Sequence, residues 1–277
     1  MKKLIYILFI LSAVLCFLAT RPSIGPKSLP SLTSLKDALP TFSSKPNPTP
    51  PPASANSLPT LYPGLGYLPK SMRPLGDAYF LKEVLEAKVG KENWVTLKSL
   101  PRAMSQALVA IEDRRFYEHH GVDTDGILRA ILVNIQADSY VQGASTITQQ
   151  LVKNTLLNDQ QSLQRKAFEA ALALEVEARY SKEDILEMYL NTTYFGAGAT
   201  GIKAASATYF GLEPFQLSLP ECALLAGLPY APSALNPKEN PADCEKRRNL
   251  VLSQMAKYGF IRHEEASAAQ REKLGLK

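Results

Sequence analysis

Cysteine is scarce in this chain, with only Cys16, Cys222 and Cys244 among 277 residues. Cys16 lies in an apolar N-terminal run, so at most one pair remains and no disulfide framework is built. The apolar ECALLAG setting of Cys222 predicts a buried free thiol. Strand signals are also few: Trp94-Val95-Thr96-Leu97 alternates briefly before Pro101, and no internal repeat is present. There is no long basic run and no basic patch interleaved with aromatics. The excess of basic residues, +5 overall, therefore fits a membrane face or an anionic partner better than nucleic acid. His119 and His120 lie close to Asp123 and Asp125 but lack a metal-ligand spacing. Adjacent histidines point apart on regular backbone, so no metal site is assigned.

What the chain has begins with Met1-Lys2-Lys3 and an uncharged, mostly apolar run from Leu4 to Ala19. As a helix this run spans roughly 24 Å, short of a hydrocarbon core of roughly 30 Å unless its flanks help. Phe17-Leu18-Ala19 makes a poor cleavage site, so an uncleaved anchor over 1–21 is expected, with its lysines inside. Residues 22–75 hold most of the prolines, including PNPTPPP, with Ser and Thr between them. Such a composition buries too little apolar surface to fold and predicts an extended spacer. The folded domain is expected over 76–277, exported and standing off the membrane.

That domain reads as mainly α. Ser162 can cap the helix that follows it, Ser181 with Asp184 and Ser218 with Glu221 form capping boxes, and Pro220 is tolerated in a first turn. Asn191 is a plausible helix stop. Gly211, Gly227 and Gly259 each follow a helical pattern and are expected to terminate it in the left-handed conformation.

Three stretches can carry chemistry. In ALVAIEDRRFYEHHGVD, Glu112 stands at the end of the apolar run of Ala107, Leu108 and Ile111. Partial desolvation there would raise a carboxylate toward the range of a general base, with Asp113 beside it. Taken alone, the stretch favours a helix end with a solvated charge cluster. In QGASTITQQLVKN, Ser145 or Thr146 can cap a helix whose first turns carry Gln149, Gln150 and Lys153. A phosphate site at the helix N-terminus and an ordinary capped helix both remain open. In RKAFE, angles are measured from Leu163 at 100° per residue. Leu163, Ala167, Ala170 and Leu174 cluster near about 0°, whereas Arg165, Lys166 and Glu169 fall near about 200°, 300° and 240°. These three share a sector away from the apolar stripe, where cations could hold pyrophosphate. Alone, an exposed Arg165–Glu169 pair of a few tenths of a kcal/mol is the better reading.

Together with ILEMYLNTTYFGAGATGIKAASATYFG and LPECALLAGLPYAPSALNP, these stretches resemble the peptidoglycan glycosyltransferase domain, glycosyltransferase family 51. The resemblance runs from about Trp94 to Glu265 and meets the family's five motifs in order. It implies a lysozyme-like fold, mainly helical, with a small hydrophobic membrane-facing lobe over about 122–142, where Ile127, Leu128, Ile131, Leu132, Val133 and Ile135 lie. It implies that lipid II is polymerised, the lipid-linked chain passing to the acceptor 4-hydroxyl with release of undecaprenyl pyrophosphate. Glu112 would be the catalytic base and Glu169 the second essential carboxylate. The substrate-binding set would comprise Asp113, Phe116, His119, Gly121, Arg129, Ser145, Thr146, Gln149, Gln150, Lys153, Arg165, Lys166 and Asn191. Asp113 is expected to support Glu112, and both glutamates are expected to face one cleft.

No cofactor is required by the sequence, although a divalent cation, magnesium or manganese, is compatible with the pyrophosphate. The implied partners are lipid II, undecaprenyl-linked glycan, the membrane and a cell-wall synthesis complex, not nucleic acid. The implied location is the extracytoplasmic side of a bacterial cytoplasmic membrane. Two departures stand out. Gly143-Ala144-Ser145-Thr146 replaces the usual Gly-Gly-Ser-Thr, and Gln161 falls where the family commonly has a basic residue. A lysozyme-like glycan hydrolase and a non-catalytic scaffold are the alternatives. No SxxK, SxN or KTG motif follows, which suits a monofunctional enzyme or the front part of a bifunctional one.

Overall fold

The computed structural model describes residues 73–137, 145–157 and 162–277. The expected anchor, nearly all of the expected spacer, Gly143, Ala144 and Gln161 lie outside the described residues. In chain order the helices are α1 (Arg73–Tyr79), α2 (Leu81–Val89), α3 (Arg102–Glu112), α4 (Thr124–Ala137), α5 (Ile147–Leu156), α6 (Leu163–Arg179), α7 (Lys182–Thr192), α8 (Ile202–Tyr209), α9 (Leu219–Gly227), α10 (Pro241–Lys257) and α11 (His263–Arg271). Helix α1 starts just inside the stretch expected to be spacer, with Pro74 in its first turn, where proline costs little. Residues 128–137 fall in a separate compact unit from the other described residues. Each unit is treated by itself.

The mainly helical expectation holds among the described residues. The only β pairing there is an isolated bridge between Tyr194 and Thr200. Trp94-Leu97 forms no strand because side chains take its backbone groups. Asn191 Oδ1 accepts from Val95 N and its Nδ2 donates to Val95 O, both at 2.8 Å, while Glu187 accepts from Trp94 Nε1 at 2.9 Å and Leu97 N at 2.8 Å. No helix among the described residues is long and apolar enough to cross a membrane.

Helix α9, LPECALLAG, is buried nearly all round, as a helix apolar on every face must be. It packs against α3 and α10, and α5 packs against α6 and α7. The helix starts follow the sequence. Thr146 caps α5 through a capping box with Gln149, Ser162 caps α6 by accepting from Arg165 N, and Ser181 caps α7 through a box with Asp184. Glu221 accepts from Ser218 N at 2.8 Å. Gly211 and Gly259 adopt φ of 69° and 75° as expected. Cys222 and Cys244 are buried free thiols, and burial pushes each up to about 12.

Two local expectations are corrected. Helix α7 runs past Asn191 to Thr192. Gly227 lies inside α9 with an ordinary φ of −80°, so its role is not the left-handed stop. A Cβ there would stand 2.9 Å from Arg247 Cγ and 3.3 Å from Val251 Cγ2, so glycine is needed for the close approach of α10.

Candidate active site

Helix α3 ends at Glu112 because the backbone leaves the helix at Asp113, with φ −156° and ψ 75°. The buried run Ala107–Ala110 carries the last turn inward, leaving the Glu112 side chain only 11% exposed. Its Oε2 accepts from Gln150 Nε2 at 2.9 Å, and Gln150 Oε1 accepts from Tyr189 OH at 3.0 Å. Its Oε1 is buried without a hydrogen-bond partner, with Arg247 Nη2 3.6 Å away. Burial holds Glu112 above the ordinary glutamate value of 4.5, while the Gln150 hydrogen bond and Arg247 pull down and Asp113 adds to the rise. Burial, and then the Glu112 charge, hold the Tyr189 phenol well above 10. Tyr189 is therefore a fixed donor that orients Gln150.

Arg247 reaches this carboxylate from α10. Its Nε donates to Gly227 O at 3.1 Å, across the contact that the glycine permits, and its guanidinium lies 4.5 Å over the Tyr230 ring. Burial lowers the Arg247 pKa, against the raising effects of Glu112 and Tyr230.

Asp113 does different work from its neighbour. Buried at 7% exposure, it accepts from Ile147 N at the start of α5 at 3.0 Å and is bonded to His119 Nε2 at 2.9 Å. A carboxylate at a helix N-terminus is well placed electrostatically, so Asp113 fixes the head of α5. Phe116 is fully buried, with Lys182 Nζ 4.3 Å over its ring. That ammonium also donates to His119 O at 2.7 Å and Glu177 Oε1 at 2.8 Å. Gly121 has φ 89°, and a Cβ there would lie 2.7 Å from Ala173 O, so the turn runs hard against α6. Thr146 Oγ1 donates to Gly121 O at 2.7 Å, while the Gln149 side chain returns to Thr146 N. Phe116, Gly121, Thr146 and Gln149 thus frame α5, and His119 joins them through Nε2, its buried Nδ1 lacking a hydrogen-bond partner.

Helix α6 turns the opposite face inward from the one its Leu163, Ala167, Ala170 and Leu174 stripe predicts. Ala167 is exposed and Ala170 and Leu174 are half-buried, whereas Glu169, Leu172, Ala173 and Val176 are buried. Apolar residues occur almost all round this helix, so the pattern permits two stripes. The buried one includes Glu169, at 1% exposure. The expected Arg165–Glu169 surface pair is replaced by a buried carboxylate bonded to Lys166 Nζ. Lys166 Nζ also donates to Ser145 Oγ at 2.9 Å. Glu169 Oε2 is buried without a hydrogen-bond partner.

Both carboxylates are therefore tied to the head of α5, Glu112 through Gln150 and Glu169 through Lys166 and Ser145. Arg165 is half-buried on the first turn of α6, and Lys153 is exposed on α5. Asn191 is 2% exposed and its amide is fully engaged, with Nδ2 donating to Glu187 O at 2.8 Å besides Val95. It binds chain to chain. Arg129 is half-buried on α4, in the other unit. A cavity of about 550 Å³ is lined by Arg115, His119, His120, Asp123, Ala170 and Leu174, and neither glutamate lines it. Asp123 and Asp125 are paired to Arg115 at 3.2 and 2.8 Å. Among the described residues no cluster of three or more His, Cys, Asp or Glu could hold a metal ion. Arg247, Tyr189 and Ser145 as a partner of Lys166 are long-range contacts that helical spacing does not reveal.

The transglycosylase family model matches residues 80–256 of this chain. Penicillin-binding protein 1A/1B of Bacillus subtilis is 44% identical over 191 residues, 69% of this chain and 21% of that protein. Penicillin-binding protein 1A of Aquifex aeolicus is 43% identical over 203 residues, 73% of this chain and 28% of that protein. A Cupriavidus necator protein named as a transglycosylase is 43% identical over 185 residues, 67% of this chain and 80% of that protein. The chain thus spans 21% and 28% of the length of the first two relatives.

Proposed function

The chain belongs to the transglycosylase family, and from that premise we propose that it polymerises lipid II into glycan strands. The observation that carries this reading is a pair of buried carboxylates, Glu112 and Glu169, each with one oxygen lacking a hydrogen-bond partner. Buried polar atoms are rarely left so in a folded protein, and such atoms suit a ligand that brings its own donor. Glu112 Oε1 is the base: it takes the proton of the acceptor 4-hydroxyl as that oxygen attacks the anomeric carbon of the lipid-linked chain. The bond to undecaprenyl pyrophosphate breaks, and the pyrophosphate leaves with the bonding pair. Burial strengthens the base, and a general base contributes about 10² to 10⁴-fold.

The leaving group needs its charge neutralised, and Lys153, Arg165 and Lys166 supply cations on the first turns of α5 and α6. Glu169 holds Lys166 in place for that task. The α4 lobe, with Leu128 62% exposed, faces the bilayer. The N-terminal run anchors the chain on the extracytoplasmic side, within a cell-wall synthesis complex. A divalent cation bound with the pyrophosphate would add to this neutralisation. The assay is polymer formation from lipid II. Wild-type chain forms polymer and Glu112→Gln loses it, whereas cleavage of finished peptidoglycan without polymer formation contradicts the reading and supports a hydrolase.

A further inference from the structure

Tyr189 lies on α7 at 1% exposure and reaches the candidate base through Gln150. Its OH donates to Gln150 Oε1 at 3.0 Å, and Gln150 Nε2 donates to Glu112 Oε2 at 2.9 Å. The phenol keeps its proton, because burial and the Glu112 charge both oppose its loss. A side-chain amide has one donating end and one accepting end, and its partners decide which way it faces. Turning Gln150 so that Oε1 faced Glu112 would take the acceptor from the buried Tyr189 proton and leave that donor unpaired. Glu112 Oε2 is therefore held against a donor. A proton arriving on Glu112 must settle on Oε1, which is buried without a hydrogen-bond partner. It finds no acceptor in the Arg247 guanidinium, 3.6 Å away, which can only donate.

We propose that Tyr189 is a positioning residue for the base: by locking the Gln150 amide it reserves Glu112 Oε1 for the proton of the acceptor hydroxyl and denies the resting carboxyl a hydrogen bond when protonated. This rests on the glycosyltransferase reading above. Without the phenol the amide is free to turn when Glu112 takes a proton. Glu112 Oε2–H then donates to Gln150 Oε1, and the protonated form gains a partner that the wild type withholds. The charges that bear on Glu112 are Arg247 on α10 and Asp113 beside it, and removing the phenol leaves both in place. Helix α9, also packed on α3, carries as ionisable groups only Glu221, tied to Ser218 N at 2.8 Å, and Cys222, which burial keeps as a thiol.

The test uses the full chain with carbon-13 in its glutamate carboxyls, the Glu112 signal being identified by its loss in Glu112→Gln. Its titration is followed by NMR in wild type, Tyr189→Phe, Gln150→Met and the double variant, and kcat and KM for lipid II polymerisation are measured over the same pH range. The lock predicts that Tyr189→Phe raises the Glu112 midpoint, and the acidic limb with it, by about one pH unit, so kcat/KM on that limb falls about tenfold. KM and the plateau above the limb stay within about twofold, since the ionised base still faces Gln150 Nε2. In the Gln150→Met background Tyr189→Phe adds no further shift, because the phenol acts only through the amide. A midpoint unmoved by Tyr189→Phe, or moved equally in the Gln150→Met background, overturns the proposal. A raised KM with the limb in place also overturns it, leaving Tyr189 and Gln150 as a substrate contact. A chain whose Glu112 midpoint follows the predicted pattern but which forms no polymer upholds the lock and overturns only the transferase reading.

Discussion

The end of α3 and the start of α6 each bury a glutamate with one oxygen lacking a hydrogen-bond partner, but their surroundings differ. Glu112 is met by a neutral amide at 2.9 Å and by a guanidinium 3.6 Å away. Glu169 is met directly by the Lys166 ammonium, which is also held by Ser145. A carboxylate facing an amide in a dry site gains basicity, because burial raises it more than its neighbours lower it. A carboxylate bonded to an ammonium acts as a brace for that cation. The same residue type thus serves as base in one region and as counter-ion in the other.

The comparison breaks most sharply at Glu112. Glu112→Gln should lower lipid II polymerisation by about 10³-fold, and it should raise Tm at neutral pH. The sign follows from the raised carboxylate: its favourable contribution is present below the unfolded value and lost as pH rises through the folded value. Lys166→Met should cost about 10²-fold in rate and about 2 kcal/mol in stability, since it strands the buried Glu169 charge. Adding Glu169→Gln to it should recover stability in urea unfolding without recovering the rate.

Glu175, also on α6, is a half-buried carboxylate apart from the two glutamates above, and it separates burial from function. Burial pushes it up to about 7 from an ordinary 4.5. Its contribution to stability is present below pH 4.5 and lost as pH rises through about 7. Glu175→Gln should therefore stabilise the chain by about 2 kcal/mol at pH 8 and not at pH 4.5, with polymerisation unchanged. Asp113→Asn should cost the least, about 1 kcal/mol, by weakening the bonds to Ile147 N and His119. Thermal unfolding measures the loss, and the acidic limb of the rate profile should fall slightly, because the Asp113 charge no longer adds to the rise of Glu112.

Local chemistry was legible in the sequence. Helix starts at Thr146, Ser162, Ser181 and Ser218, stops at Gly211 and Gly259, and the inward drift of Glu112 all depend on residues a few positions apart. What depended on partners was not. The buried face of α6 was misjudged because an Ala- and Leu-rich helix offers two apolar stripes, and only packing against its neighbours selects one. Gly227 looked like a helix stop, yet its value lies in contact with Arg247, twenty residues on. Asn191 and Gln149 bond the Trp94–Val95 segment and the head of α5, and His119 bonds Asp113 through Nε2 while its buried Nδ1 lacks a hydrogen-bond partner; none of these contacts is visible from local spacing. Tyr189 and Arg247 gave no local signal, because each meets the Glu112 site across long sequence separations.

The central claim is that Glu112 is the base and that burial, opposed by Arg247, sets its strength. The acidic limb of kcat/KM for lipid II polymerisation, measured in wild type and Arg247→Met, tests it most directly. The account predicts a wild-type limb above the ordinary glutamate value and a further rise when the guanidinium is removed. A limb at the ordinary value, or one unmoved by Arg247→Met, would contradict it.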